Sequence, residues 1–453
     1  MARGKKKERA LTPEEKLAQA LVPVEEQPYK VPGNWCWTRL KTISAHISDG
    51  SHNPPKDSGS GIPLLSATNI RNHSIDVDGA VRWITEAEWE TENLRTKIEP
   101  NDVLLTIVAT LGRTAVVRNE KFALQRSVAV IKPRVNSEFL SYYFETPYVQ
   151  TFIVDNAKGT AQKGFYLNSL ENLFCCVPPL AEQQRIVDRI EHLFIRLDEA
   201  KEKVQSVLDS FETRKAAILH KAFTGELTDK WRAEHGLDMG GWKPAKFSDV
   251  LDVRDGTHDS PQYYDTGYPL VTSKNLKDGR ITDKDIKYIC QEDYDKINER
   301  SKVDIGDILF AMIGTIGNPV VVQAEPHFAI KNMALFKSVG KINPFFVKYY
   351  LESKTVMDKM QKEAKGSTQK FVALGYLRAF PIDVPMEQEQ EEVVRILDSL
   401  FAKEQQAKEA AEAVLEKIDL LKKSILARAF RGELGTNDPT EESAVELLKE
   451  AIR

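Results

Sequence analysis

The strongest constraint on this chain is that it contains one long segment twice. Residues 177–227 recur as 384–434 at a constant offset of 207 with no gap. About 20 of roughly 51 aligned positions are identical, far more than unrelated helical segments share. Val177-Pro178 answers Val384-Pro385, Glu182-Gln183 answers Glu389-Gln390, Leu193-Phe194 answers Leu400-Phe401, and AFTGEL (222–227) answers AFRGEL (429–434). A duplication held in register this tightly commits the chain to two related halves.

Each copy reads as one amphipathic helix. In the first, Ile186, Ile190, Leu193, Leu197, Ala200, Val204, Val207, Phe211 and Ile218 fall at alternating four- and three-residue spacing, with Arg214 as a polar interruption. The second repeats the stripe with Val393, Leu397, Leu400, Ala407, Ala411, Val414, Ile418, Leu421 and Ile425, broken at Glu404. A proline-containing extended segment precedes each helix. Gly225 or Gly432 ends it, because glycine takes the left-handed terminal conformation without steric cost. Roughly 42 residues at ~1.5 Å each make a helix on the order of 60 Å long. A stripe of that length has to be covered. An antiparallel coiled coil between the two copies covers both and relates the halves by a pseudo-two-fold axis. Packing of each helix on its own globular domain, or dimerisation between chains, covers it as well.

The segments before the two helices are diverged relatives. Gly33-Asn34-Trp35 answers Gly240-Gly241-Trp242, Asp49-Gly50-Ser51-His52 answers Asp255-Gly256-Thr257-His258, and Ile62-Pro63-Leu64 through Asn69 answers Tyr268-Pro269-Leu270 through Asn275. Asp102-Val103-Leu104 with Gly112 answers Asp307-Ile308-Leu309 with Gly317, and Gly159-Thr160-Ala161-Gln162-Lys163 answers Gly366-Ser367-Thr368-Gln369-Lys370. Runs such as Val103–Val108, Ala115–Val117, Val128–Ile131 and Val320–Val322 read as strands, and Ser137–Phe152 and Pro344–Lys362 as helices covering a sheet. The fold class is α+β. At 453 residues the chain exceeds one ordinary core. The expected order is a basic N-terminal arm and short helix (1–32), a first globular domain (33–178), the first long helix (179–228), a linker (229–239), a second domain (240–385), the second long helix (386–435) and a tail with a short helix (436–453). The helical stretches Thr12–Val22 and Thr440–Ile452 are expected to pack near each other.

Composition excludes several classes. No apolar run approaches the ~20 residues of a membrane helix, and the basic start runs into a polar stretch rather than a signal core. Cys36, Cys175, Cys176 and Cys290 form neither a disulfide framework nor a zinc knuckle, so a reducing cytoplasm is the expected setting. No phosphate-binding loop is present, and the histidines lack metal spacing. Glu86, Glu88, Glu90 and Glu92 are expected to solvate an exposed segment. A net charge of −4 argues against gripping nucleic acid by bulk positive charge, so any grip is local or shared with a partner. The basic residues among the first ten suit a solvated tail, or an arm that touches phosphate.

The combination of PLAEQQRIVDRIEHLF (179–194), a long heptad helix and AFTGEL, occurring twice after diverged domains that open with GNW or GGW, resembles the specificity subunit of Type I restriction-modification systems. The resemblance covers residues ~33–434. It implies two target-recognition domains, each reading one half of a bipartite sequence in double-stranded DNA, with the helices holding them apart as a spacer. It also implies two docked methyltransferase subunits and motor-nuclease restriction subunits. S-adenosylmethionine, ATP and Mg then belong to the partners; no catalytic or metal site and no cofactor are expected on this chain. Asn53-Pro54-Pro55-Lys56 is similar to the Asn-Pro-Pro-aromatic motif of adenine methyltransferases, but lysine replaces the stacking aromatic and no glycine-rich cofactor loop precedes it. It reads as a proline-stiffened loop.

Base-edge reading favours Arg, Lys, Asn, Gln, Ser and Thr on loops held by a rigid core. The first domain offers Ser51, His52, Asn69, Arg71, Arg113, Gln125, Arg126, Lys158, Thr160, Gln162 and Lys163. The second offers Thr257, His258, Ser273, Lys274, Asn275, Asn318, Lys331, Asn332, Lys365, Gln369 and Lys370. The two Gly-x-x-Gln-Lys loops are the best-matched pair, since glycine lets backbone approach phosphate while Gln and Lys donate; a turn packed on the long helix is the other reading of them. The polar helix starts Glu182–Arg189 and Glu389–Arg395 suit either a partner's helices or plain solvation. A methyltransferase or nuclease with divergent motifs and a dimerising scaffold are the rival classes; cofactor binding favours the first, and loss of sequence-selective DNA protection the second.

Overall fold

The computed structural model describes residues 12–159, 163–366 and 370–452. It divides into two compact units, Met1–Lys203 with Val414–Arg453, and Val204–Ala413. Each long helix thus gives its first turns to one unit and its last turns to the other.

The units repeat one strand order. In the first, Ser44–Asp49, Val128–Pro133, Val103–Thr106 and Thr114–Val116 form an antiparallel sheet in that order. In the second, Leu251–Asp255, Ala334–Ser338, Ile308–Ala311 and Gly317–Val321 do the same. A three-stranded sheet follows the same logic, Trp83–Ile84, Ile62–Leu65 and Ala123–Leu124 against Lys287–Ile289, Tyr268–Thr272 and Ala329–Lys331, its last pairing parallel in both units. A two-stranded closure, Cys36–Arg39 with Phe174–Val177 and Lys243–Lys246 with Pro381–Val384, ties the start of each domain to the segment entering its long helix.

The central strands are apolar throughout because both sheet faces are covered. Val103, Leu105, Ala129 and Ile131 face one core cluster, while Leu104, Val128 and Val130 face another. Ile308, Phe310, Ala334 and Phe336 alternate with Leu309 and Leu335 in the same way. The two expected sheet-covering helices are each broken in two. Ser137–Phe144 and Pro147–Asn156 part where Pro147 disfavours helix at Thr146, which instead caps the second piece. Pro344–Glu352 and Lys354–Glu363 part at the extended Ser353. The run of glutamates lies on a helix, Glu86–Thr96, whose Trp89 Nε1 donates to Phe122 O at 2.9 Å.

The long helices run Leu180–Phe223 and Glu387–Ala429. Ile186, Ile190, Phe211, Val393, Leu397 and Ile418 are buried. Val207, Ala407, Val414 and Leu421, placed in the stripe by the heptad count, are exposed, and the half-buried Leu208 and Leu415 stand inside them. The drift has a physical reason: a straight helix at 3.6 residues per turn loses about 20° per heptad against a 3.5-residue count. Leu193, Leu197, Ala200, Val204, Ile218, Leu400, Ala411 and Ile425 are half-buried. Within the first unit Lys422 Nζ meets Asp198 at 2.5 Å and Lys201 Nζ meets Asp419 at 3.2 Å, so these stretches run antiparallel. Within the second, Arg214 meets Glu404 at 2.8 Å, the two residues that interrupt the apolar stripe in sequence.

The first and last described helices meet in the first unit. The helix Pro13–Ala20, capped by Thr12, touches Ala444–Ala451, with Lys16 Nζ 3.5 Å from Ile452 O. Ala444 and Leu448 join Leu40 and Ile43 in the core. Within the linker 229–239, Asp229–Glu234 is helical and Arg232 is buried.

Candidate nucleic-acid interface

The duplicated Asp-Gly-Ser/Thr-His motif lies at the end of the first strand of each four-stranded sheet. Each of its positions has a physical task. At Gly50 a side chain would collide with the Leu124 carbonyl, and at Gly256 with that of Ile330, so glycine alone permits the close approach that follows. Ser51 N then donates to Leu124 O at 2.7 Å, and Arg126 N to Ser51 O at 2.9 Å. Thr257 N donates to Ile330 O at 3.0 Å, and Asn332 N to Thr257 O at 3.1 Å. This backbone lattice places Gln125 beside Ser51 and Lys331 beside Thr257.

The aspartates hold what lies outside. His52 Nε2 donates to Asp49 Oδ2 at 2.7 Å, and His258 Nε2 to Asp255 Oδ2 at 2.9 Å. Arg95 reaches the other oxygen of Asp49, and Arg300 the other oxygen of Asp255. Both carboxylates are buried, whereas the two imidazoles and two guanidinium groups are half or more exposed. The sequence reading chose the histidines and missed Asp49, Arg95, Asp255 and Arg300. The signal was available, since Arg95 and Arg300 occupy the same place near the ends of helices Glu86–Thr96 and Gln291–Ser301.

The residues flanking the Gly-x-x-Gln-Lys segments pair with each other at this same sheet end. Lys158 and Gly164 exchange backbone bonds of 2.9 and 2.8 Å, and Phe165 N donates to Ile107 O at 2.7 Å. Ile107 N in turn donates to Ser127 O at 2.9 Å, which joins these flanking residues to the Gln125–Arg126 turn. Lys365 and Phe371 exchange bonds of 2.9 and 2.8 Å, and Val372 N donates to Met312 O at 2.9 Å. Lys158, Lys163, Lys365 and Lys370 are exposed. Thr160, Gln162 and Gln369 lie outside the described residues. Arg113 and Asn318 sit where the fourth strand begins, at the same sheet end, and both are exposed.

Several expected readers are interior instead. Asn69 Oδ1 accepts from Ser66 N at 3.0 Å while its Nδ2 donates to Asp76 O at 3.2 Å. Asn275 repeats this with Thr272 N at 3.0 Å and Thr282 O at 3.1 Å. Both amides are buried and hold a turn. Ser51 is also buried. Ser273 Oγ donates to Asn332 O at 3.0 Å, and Arg71 pairs with Asp76 at 3.0 Å. Lys274, Arg126 and the half-buried Gln125 remain at the surface. Lys331 is only 8% exposed, its Nζ 2.7 Å from Ser260 Oγ and 3.5 Å from Tyr263 OH.

The duplicated Glu-Gln pair that opens each long helix faces its own domain. Trp35 Nε1 donates to Glu182 at 2.7 Å, and Trp242 Nε1 to Glu389 at 3.1 Å. Gln183 Oε1 accepts from Asn136 N at 2.8 Å, and Gln390 Oε1 from Asn343 N at 2.7 Å. All four side chains are buried, so this part of the helix start seats the helix on its domain and is closed to partner helices. The twice-occurring Trp and Glu-Gln signatures are thus the lock between reader and helix.

Each unit thus carries polar side chains at one end of its four-stranded sheet. The family model for the Type I restriction modification DNA specificity domain matches residues 56–208 and 239–417, and the chain belongs to that family. The EcoBI specificity subunit of Escherichia coli is 34% identical over 221 residues, covering 47% of this chain and 46% of that protein, so the match spans less than half of that relative. The EcoKI specificity subunit of Escherichia coli (strain K12) is 23% identical over 433 residues, covering 89% of this chain and 90% of that protein. Among solved structures, a chain from work on complex assembly and conformational transition of the type I R-M system has a TM-score of 0.67 at 20% identity, covering 90% of this chain and 100% of that one. The HsdS subunit from Thermoanaerobacter tengcongensis gives 0.57 at 20% identity with the same coverage. At that identity these likenesses establish the fold. No described helix is long and apolar enough to cross a membrane.

Proposed function

We propose that this chain is the DNA-reading, non-catalytic component of a Type I restriction-modification complex, each unit reading one half of a bipartite duplex target. The observation that carries this reading is the pairing of one backbone with two side-chain sets. Gln125, Arg126 and Arg113 occupy the positions of Lys331, Asn332 and Asn318 on the same hydrogen-bonded frame. A binding protein that needed one surface twice would retain those residues; a reader of an asymmetric sequence has to change them. Methyltransferase subunits, two by the symmetry of the repeat, and restriction subunits supply the chemistry, with S-adenosylmethionine, ATP and Mg held there. The near-neutral charge supports a shared grip, in which partners close around duplex that this chain alone holds weakly.

Exchanging residues 33–176 for the corresponding domain of a relative tests the assignment. The methylated motif changes in one half only. A motif that changes in both halves, or in neither, contradicts it. Lys163→Ala and Lys370→Ala are expected to weaken binding and flatten its salt dependence; an unchanged slope removes both from the phosphate contacts.

A further inference from the structure

The internal repeat divides the surface at the reading end into groups that differ between the units and groups that do not. Two half-sites differ in sequence but share one sugar-phosphate backbone. Side chains changed between the units are therefore fit to read bases, and exposed cations retained at equivalent places are fit to bind phosphate. The retained set includes one assembly built the same way twice, Asp49 with His52 and Arg95, and Asp255 with His258 and Arg300. We propose that Arg95 and Arg300 are phosphate-binding residues, one per half-site, each positioned with its histidine by the buried aspartate. This rests on the DNA-reading assignment above.

Three features carry the inference. First, the aspartate is interior and its two partners are not. Asp49 and Asp255 keep about a tenth of their side-chain surface, whereas Arg95 and Arg300 keep 50% and 66% of theirs. A carboxylate sunk below two exposed donors pins them without covering them. Second, the fork is only partly used. Arg95 Nε donates to Asp49 O at 3.0 Å and its Nη2 to the carboxylate, and no protein acceptor meets Nη1 among the described residues. Arg300 gives Nη2 alone to Asp255, while its own carbonyl accepts from Arg254 Nη1 at 2.9 Å, which fixes the helix end. The remaining N–H groups suit the paired oxygens of a phosphate, and a guanidinium already oriented loses less freedom on binding. Third, the assembly adjoins the sites of divergence. Asp49 and Asp255 end the strands from which Ser51 and Thr257 lead directly to the changed Gln125/Lys331 and Arg126/Asn332 positions.

The experiment uses the full chain reconstituted with its methyltransferase subunits, and duplexes carrying the methylated motif or a scrambled one. Affinity is measured against salt for wild type, R95Q, R300Q, R95K and R300K. Each Gln variant is expected to lower the log–log salt slope by about one, to weaken specific and scrambled duplexes by the same factor, and to leave the methylated motif unchanged. The Lys variants keep the slope, because the charge remains. If the arginines only fasten their helices, R95Q and R300Q lower the unfolding temperature while the slope stays at its wild-type value, and the inference is overturned. A motif altered in one half also overturns it, assigning the arginine to base reading. A wild-type complex that does not distinguish the two duplexes removes the DNA-reading assignment itself, which separates that failure from this one.

Discussion

The two units solve the same buried-charge problem differently. Glu182 and Glu389 open their long helices at equivalent positions, each gripped by a tryptophan and each out of solvent. Glu182 is further satisfied by neutral donors, Asn437 Nδ2 at 2.9 Å and Thr436 Oγ1 at 3.3 Å, supplied by the C-terminal segment. Glu389 has Thr228 Oγ1 at 2.7 Å and a buried cation, Arg232. The difference teaches that the repeat preserves the acidic latch and leaves its counterpart free to vary, provided the carboxylate oxygens are met. It predicts unequal fragility. Arg232→Ala strands a buried carboxylate and is expected to destabilise the second unit by about 3–5 kcal/mol. Asn437→Ala removes one of several neutral bonds and is expected to cost the first unit about 1–3 kcal/mol. Urea unfolding with hydrogen exchange resolved by unit checks both; equal losses would make the two latches equivalent.

A second contrast lies at the reading end, where Gln125 of the first unit is replaced by Lys331 at the equivalent position of the second. Lysine donates to guanine O6 and N7, whereas glutamine suits adenine, each at about 1–3 kcal/mol of discrimination. Lys331→Gln is expected to alter one base of the second half-site and nothing in the first, as read from binding to a panel of single-base substitutions. No change would leave Lys331 as a strut between Ser260 and Tyr263.

A third contrast is a titratable pair whose counterpart in the second unit holds no histidine. His73 Nε2 pairs with Glu145 at 2.7 Å and its ring lies 4.4 Å from that of Tyr142. Burial opposes its charge, but the hydrogen bond and charge of Glu145, with Glu138 and Glu191 beyond, lift its pKa above the usual 6.5. A raised pKa means that the stabilisation is complete below about 6.5 and is lost as pH rises through the folded value. In the second unit the place of His73 is taken by Gly279, and Glu352 pairs with Lys215 and Lys348 at 3.0 Å each. His73 has a φ of 60°, a conformation glycine adopts freely. His73→Gly is therefore expected to flatten the stability-pH profile of the first unit above pH 6 without breaking the turn. An unchanged profile would show that the pair contributes nothing there. The smallest effect is expected where the units agree: Val207→Lys and Val414→Lys, on exposed faces, should each shift stability by less than about 0.5 kcal/mol.

Much of the architecture was readable in the sequence because the repeat supplied its own alignment. The buried strands and the two long helices announce themselves through runs and spacing that depend only on local geometry. The inner face of the helices was harder, since the count that placed Val207 and Val414 inward assumes a supercoil period. The site was half readable. His52, His258, Arg126, Lys163 and Lys370 stand exposed at the same end of their sheets and Asn332 is half-buried there, whereas Asn69 and Asn275 have the right chemistry but are turned inward to hold turns. Loop residue type does not encode direction; the hydrogen-bonded neighbours do. Arg95 and Arg300 were missed because they come from helices rich in carboxylates, far in sequence from the aspartates they meet.

The central claim is that one scaffold, used twice with different side chains, reads two different half-sites. Adenine methylation mapped across the genome, in cells with this chain and its methyltransferase partner and in cells lacking only this chain, tests it most directly. The account predicts a bipartite motif that appears only with the chain, and whose first half alone changes when residues 33–176 are exchanged. Methylation that is the same with and without the chain would contradict it.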